Sequence, residues 1–131
     1  SLTDYLVKDA KTNSSAVVTK DRKGAKEARL SFRILSYREV QEQRMAEAGD
    51  VLGYALAEIH LATGRHHQIR VQMAHAGMPL LGDQRYGSEE SREVSTQLGI
   101  RTIRLQAVKL AFCHPTSGKR VCYELTDKLT L

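Results

Sequence analysis

Tryptophan is absent from the 131 residues, cysteine and proline occur twice each, and five tyrosines with two phenylalanines are the whole aromatic content. Two cysteines cannot build the bridged framework of a small secreted scaffold, and a chain this long buries roughly two-thirds of its unfolded surface without such staples. No run approaches the ~18 to 20 consecutive apolar residues of a membrane-spanning helix. The first nine residues mix charge and polarity in a way no secretory signal does. These absences lead to the expectation of one compact unit over residues 1–131, soluble and cytoplasmic, with no membrane partner. The chain opens at Ser1 rather than Met, which fits excision from a longer parent. What is present in excess is positive charge: 20 Lys and Arg against 15 Asp and Glu give a net charge of +5. A polyanion is the kind of partner that such a balance attracts.

Cys113 and Cys122 flank the turn signal His114-Pro115-Thr116-Ser117-Gly118-Lys119. A hairpin centred on Thr116 and Ser117 sets Lys109 opposite Glu124, Ala111 opposite Cys122, Phe112 opposite Val121 and Cys113 opposite Arg120. The two cysteines are then diagonal neighbours, ~7 to 8 Å apart, beyond the usual disulfide separation. Free thiols in a reducing compartment are expected.

Residues 28–34, Ala-Arg-Leu-Ser-Phe-Arg-Ile, alternate with period two and set Ala28, Leu30, Phe32 and Ile34 on one face of a half-buried strand. Ala16-Val17-Val18-Thr19 precedes it, with the charged turn Lys20 to Gly24 between, so the two segments read as a hairpin. Residues 54–61 supply a further strand, and Glu39 to Asp50 a charged connection that could hold a short exposed helix, a solvated loop being the preferred reading. After Thr63-Gly64 the period changes to 3.6. Ile69, Met73 and Ala76 share a stripe, Gly77 and Pro79 supply the stop, and residues 66–76 are expected to be helical. Residues 88–102 are polar and weakly helical, and Arg104 to Leu110 with Arg120 to Thr126 closes the unit as a hairpin. Hairpin connections without a βαβ rhythm imply an α+β fold, a mixed or antiparallel sheet with one central helix.

The chemistry is densest from Leu56 to Gly87, around a strand-to-helix junction. The first turn of a helix has unpaired N–H groups and a positive dipole end, so Arg65 and the backbone near His66 suit a phosphate, though solvated arginines on a capped helix fit equally. Arg70 lies beside the Met73 and Ala76 stripe, which runs its stem along the core edge and brings its guanidinium to a cleft. A half-buried arginine requires an anionic partner. Asp83 is a candidate, but it also suits the turn Leu81-Gly82-Asp83-Gln84, and turn capping is the preferred reading. Four histidines lie at positions 60, 66, 67 and 75. His67 and His75 are two helical turns apart, and no clustered cysteine or carboxylate joins them, so a metal site is not expected. No serine sits in a nucleophile elbow.

At this segment the sequence resembles the catalytic domain of the RluA-type RNA pseudouridine synthases. The pattern Leu-x-Thr-Gly-Arg-x-His-Gln-Ile-Arg is met by Leu61, Thr63, Gly64, Arg65, His67, Gln68, Ile69 and Arg70. Gly77, Pro79, Leu80, Gly82, Asp83, Tyr86 and Gly87 meet the Pro-Leu-x-Gly-Asp-x-x-Tyr-Gly continuation, and Leu105, Ala107, Leu110, Phe112, His114 and Pro115 meet the closing hairpin. The opening Asp4-Tyr5-Leu6-x-Lys8 is similar too. The family's nucleophilic Asp in His-Arg-Leu-Asp and its stacking Tyr in Lys-x-Tyr occur nowhere in the sequence, and Asp4, Asp9, Asp21 and Asp50 have unrelated neighbours.

The resemblance implies a cofactor-free isomerisation of uridine to pseudouridine in ribosomal or transfer RNA, on a base flipped out of its stack. It implies that Arg70 pairs with the catalytic Asp, that Arg65, His67 and Gln68 contact substrate, and that Leu80 or Leu81 packs on the uracil. The chain then reads as the C-terminal portion of a catalytic domain, inactive alone and partnered by the N-terminal portion of its parent. A non-catalytic RNA-binding module is the alternative.

Overall fold

The strand expected at residues 28–34 extends well past Ile34, to Glu39. The computed structural model describes residues 1–40 and 53–131. In it β1 (Leu2–Asp9), β2 (Ser14–Val18), β3 (Lys26–Glu39) and β4 (Gly53–Leu61) form an antiparallel sheet in the order β2-β1-β3-β4. Helices α1 (Gln68–His75) and α2 (Glu89–Gln97) follow, and β5 (Lys109–Cys113) pairs with β6 (Arg120–Glu124) in a second sheet. The fold is α+β with antiparallel sheets, and the described residues carry two helices rather than one. Of the expected Glu39 to Asp50 connection, Glu39 ends β3 and residues 41–50 lie outside the described residues.

The expected hairpin of β2 with β3 is corrected. The opening strand β1, read only as a polar start, lies between them: Leu6 faces Val17 on one side and Lys26 on the other. The charged Lys20 to Gly24 segment is a turn as expected, with Ala25 N–H donating to Arg22 O at 2.9 Å, but it carries the chain past β1 rather than folding it back. The apolar face of β3 is also shorter than its pattern. Ala28 and Leu30 are buried, Phe32 is half-buried and Ile34 is exposed, because the core of Leu6, Ala28 and Val71, flanked by Val17 and Tyr86, reaches only the start of the strand. A bulge between Ile34 and Ser36 then shifts the register against β4.

Helix α1 is two residues shorter at its start than the pattern suggests and buries a different face. Ala76 is exposed and Ile69 half-buried, whereas Gln68, Val71, Gln72 and Met73 are buried, Gln72 to 0% exposure. Apolar periodicity missed this face because two of its members are glutamines bonded to the sheet. Gln72 Nε2 donates to Ala28 O at 3.0 Å and to Asp4 Oδ2 at 2.8 Å. The stop at Gly77 is where the sequence puts it. With φ +79 that residue takes the left-handed conformation, and Met78 N–H closes back on Met73 O at 2.8 Å. In the weakly helical segment, α2 starts on Ser88, whose hydroxyl accepts from Ser91 N–H at 3.1 Å, with Glu89 and Glu90 in the first turn. The closing hairpin keeps the expected register, Lys109 opposite Glu124 and Cys113 opposite Arg120, and both thiols are free. Its first strand starts at Lys109 rather than Arg104 and runs on to Cys113, and its second starts at Arg120 as expected and stops at Glu124; before them the Gln106 side chain bonds Asp127 O and Leu129 N–H.

Candidate functional site

The turn before α1 is fastened by Gln68. Its Oε1 accepts from Arg65 N–H at 2.8 Å and from the Thr63 hydroxyl at 2.9 Å, and its Nε2 donates to Arg29 O at 3.0 Å. A planar amide with an acceptor and two donors can tie three segments together, here β3, the Thr63-Gly64-Arg65 turn and the helix. That turn leaves Arg65 exposed, with its Nε donating to Glu27 O at 2.8 Å.

On the next turn of α1, Arg70 meets the carboxylate its burial demands. Its Nε and Nη2 donate to Asp83 Oδ2 and Oδ1, both at 2.8 Å, a two-pronged pair with side chains 22% and 1% exposed. Asp83 is also the turn cap: Oδ1 accepts from Arg85 N–H at 3.0 Å and Tyr86 N–H at 3.1 Å. The two roles weighed as alternatives in the sequence are held by one carboxylate, because a carboxylate has room for about four donors. Burial by itself would raise the Asp83 carboxyl. The Arg70 guanidinium and the two backbone N–H groups outweigh it and hold the group below the ordinary carboxylate range. Arg70 is raised in turn, first by its bond to Asp83. Gly82, with φ +76, makes the turn possible: a side chain there would collide with Thr102 O.

Two imidazoles complete the cluster. His67 is the N-cap of α1, held in the left-handed region at φ 52, and its side chain makes no capping bond. Its Nδ1 lies 2.8 Å from Tyr86 Oη and its Nε2 3.3 Å from Arg70 Nη1. Tyr86 Oη also accepts from Ser15 N–H on β2 at 2.9 Å, and the Arg70 guanidinium sits 4.9 Å from the centre of the Tyr86 ring. His66 stacks on His67 at 3.8 Å between centroids, and its Nδ1 is 2.9 Å from Ser15 Oγ. Both imidazoles fall below the usual histidine range. For His67 the largest cause is loss of solvent, then His66, Arg70 and Arg85, with Asp83 opposing. For His66 it is again loss of solvent, then Lys8, Arg85 and Arg70.

Of the residues singled out in the sequence, Arg70 and His67 stand in one hydrogen-bonded cluster and Arg65 on the exposed turn beside it. Leu80 and Leu81 are half-buried on the loop that carries Asp83. Gln68 is buried and braces the turn that carries Arg65. Turn capping, the preferred reading of Asp83, is only half of its role, since the same carboxylate pairs with Arg70. Sequence reasoning missed Tyr86 and Ser15. The signal for Tyr86 was its place three residues beyond Asp83; Ser15 had none, being brought in by the β1 and β2 pairing.

The chain is similar to proteins of a known family. The sequence model of the family described as RNA pseudouridylate synthase matches residues 2–75, more than half of the chain. Ribosomal large subunit pseudouridine synthase D of Neisseria meningitidis is 42% identical over 56% of this chain and 21% of its own length. The RNA pseudouridine synthase YlyB of Bacillus subtilis, described as uncharacterized, is 34% identical over 89% of this chain and 31% of its own length. The tRNA pseudouridine synthase C of Pasteurella multocida is 36% identical over 52% of this chain and 28% of its own. Among solved structures, human RNA pseudouridylate synthase domain containing 1 superposes with a TM-score of 0.65 at 21% identity, covering 95% of this chain and 46% of that one, a likeness of fold. The chain belongs to the RNA pseudouridylate synthase family. It spans between about a fifth and a third of the length of these curated relatives.

Proposed function

We propose that the chain is the C-terminal portion of the catalytic domain of an RNA pseudouridine synthase, acting on uridine in ribosomal or transfer RNA, with the nucleophilic Asp supplied by an N-terminal portion of the same parent. The observation that carries the reading is the state of Arg70. A guanidinium has five N–H donors. Among the described residues Asp83 engages two and His67 faces one, so one N–H on Nη1 and one on Nη2 remain for a second acceptor. A nucleophilic carboxylate held there stays ionised and oriented, which is the part Arg70 plays in this reading. Arg65 and Arg85, with Lys8 nearby on β1, give the phosphate backbone its cations. Leu80 or Leu81 supplies the apolar contact to the flipped uracil, and the rearrangement within the nucleoside needs no cofactor.

A second reading, RNA binding without catalysis, is favoured by the lack of His-Arg-Leu-Asp and Lys-x-Tyr in the 131 residues. One experiment separates the two. The chain alone and the chain extended upstream along its native reading frame are each incubated with uridine-containing RNA, and pseudouridine is quantified. The chain alone is expected to bind in a salt-sensitive way and form none; the extended protein, with an Asp motif restored, is expected to form it. An extended protein that carries the motif and stays inert would leave the binding-module reading, and turnover by the chain alone would overturn the missing-nucleophile assignment.

A further inference from the structure

His67 departs from two local rules at once. It takes a left-handed backbone conformation that costs most residues free energy, and at the N-cap it leaves the helix N–H groups uncapped. Histidine is among the few non-glycine types that tolerate this conformation. Its imidazole is instead turned to the Arg70 guanidinium on one edge and the Tyr86 hydroxyl on the other.

The protons in this contact can be placed by elimination. Arginine has no acceptor, so a hydrogen on His67 Nε2 would set two N–H groups against each other; Nε2 must be the unprotonated nitrogen. The hydrogen of the neutral ring then sits on Nδ1, 2.8 Å from Tyr86 Oη. Tyr86 Oη accepts it together with the Ser15 N–H at 2.9 Å, filling both lone pairs and anchoring the imidazole to β2. We propose that His67 is a positioning residue, a neutral imidazole fixed as its Nδ1–H tautomer, which holds Arg70 Nη1 from one side while Asp83 holds Nε and Nη2 from the other.

The consequence is a guanidinium held on all three of its nitrogens. Asp83 alone leaves Nη1 unheld; with His67 added, one N–H on each terminal nitrogen is left over. This deepens the proposed function and rests on it only for what those two groups receive, the carboxylate of the nucleophile. The surroundings agree with a ring that stays neutral. The groups that face it are the stacked His66, Arg70 and Tyr86, with Arg85 of the same cluster and the opposing carboxylate of Asp83. A second cation here would stand against Arg70.

The test needs no catalysis. In the isotope-labelled 131-residue chain, long-range proton–nitrogen spectra report each histidine tautomer, and side-chain spectra report how fast the Arg70 guanidinium turns. The expected result is a single Nδ1–H form of His67 that keeps its signature as pH falls past the ordinary histidine midpoint, with slow rotation of the Arg70 Nη groups. His67→Asn, which also tolerates the left-handed backbone, is expected to release the Nη rotation and leave the Arg70 Nε–H bond to Asp83 intact. Tyr86→Phe keeps the ring and removes the hydroxyl, and is expected to mix the two tautomers. An Nε2–H ring, protonation at the ordinary histidine midpoint, or an unchanged Nη rotation in folded His67→Asn would overturn the proposal. If His67→Asn does not fold, the tautomer of the unaltered chain decides alone. A parent enzyme that fails to isomerise uridine would remove the proposed function and leave this tautomer where it is.

Discussion

The cluster around Arg70 and the β5–β6 hairpin invert each other. In the first, groups that favour water are taken out of it: Asp83 and two glutamines are buried, and among the described residues their side-chain atoms have hydrogen-bond partners except Gln72 Oε1. In the second, groups that avoid water are left in it: Leu110 is 61% and Tyr123 64% exposed, and Phe112 stacks on Tyr123 at 6.2 Å. Burial therefore follows from what packs above a strand or helix, and residue type alone does not set it. The cluster holds by directed bonds and should fail sharply when one is cut; the hairpin holds by its own ladder and should fail little.

The largest effect is expected at the Arg70 and Asp83 pair. In a complete parent enzyme Arg70→Ala should lower the single-turnover rate by orders of magnitude, and Arg70→Lys should recover only part, because an ammonium cannot reproduce the fork. Arg65→Ala should instead weaken RNA binding. A near-normal single-turnover rate in Arg70→Ala, with only affinity reduced, would make Arg70 a phosphate contact. In the isolated chain, Asp83→Ala leaves the guanidinium without its counter-charge and two backbone N–H groups without an acceptor, and denaturant unfolding should report a loss of about 3 to 5 kcal/mol. Asp83→Asn keeps an acceptor for the turn and should lose less.

Next comes Gln72→Leu. The substitution matches volume and removes the orphan acceptor, yet it leaves Ala28 O and Asp4 without the Nε2 donor, so a loss of about 1 to 3 kcal/mol is expected by the same measurement. A stabilised variant would mean that the amide is dispensable to the helix–sheet contact. The same residue shows where legibility ended. Strand existence at 28–34 and 54–61, the Gly77 stop and the hairpin register were all written in local pattern, because alternation and turn chemistry act within a few residues. The order of the strands was not, since nothing in Leu2 to Asp9 says which neighbour it takes. The motif marked Arg65, His67 and Arg70, but the Asp83 pairing and the Gln68 brace arise only when α1, the 80–87 loop and β3 come together.

A smaller effect is expected from pH. His66 and His67 are depressed on folding, so the unfolded chain binds protons that the folded one resists. Their contribution is fully present above the ordinary histidine value, ~6.5, and declines as pH falls below it. Asp83, depressed among carboxylates, adds a second loss on acidification below ~4. Thermal melts taken across this range should fall in those two steps. In His67→Asn the upper step should shrink, and an upper step of unchanged size would assign it to other histidines.

The smallest effect should come from the hairpin, and it sharpens the contrast most. Leu110 and Tyr123 are directly opposed across β5 and β6, so their contact is a cross-strand pair on an open face. Replacing either with Ser removes apolar area that already meets water, and a surface change of this kind costs within about 0.5 kcal/mol in the unfolding of the isolated chain. The ladder bonds and the exposed Lys109 to Glu124 ion pair at 3.9 Å are unaffected by either change. If Leu110→Ser instead cost as much as Gln72→Leu, the hairpin face would be covered in solution. Repeating the measurement over a range of protein concentration would then separate cover by another copy, which weakens on dilution, from cover within the chain, which does not.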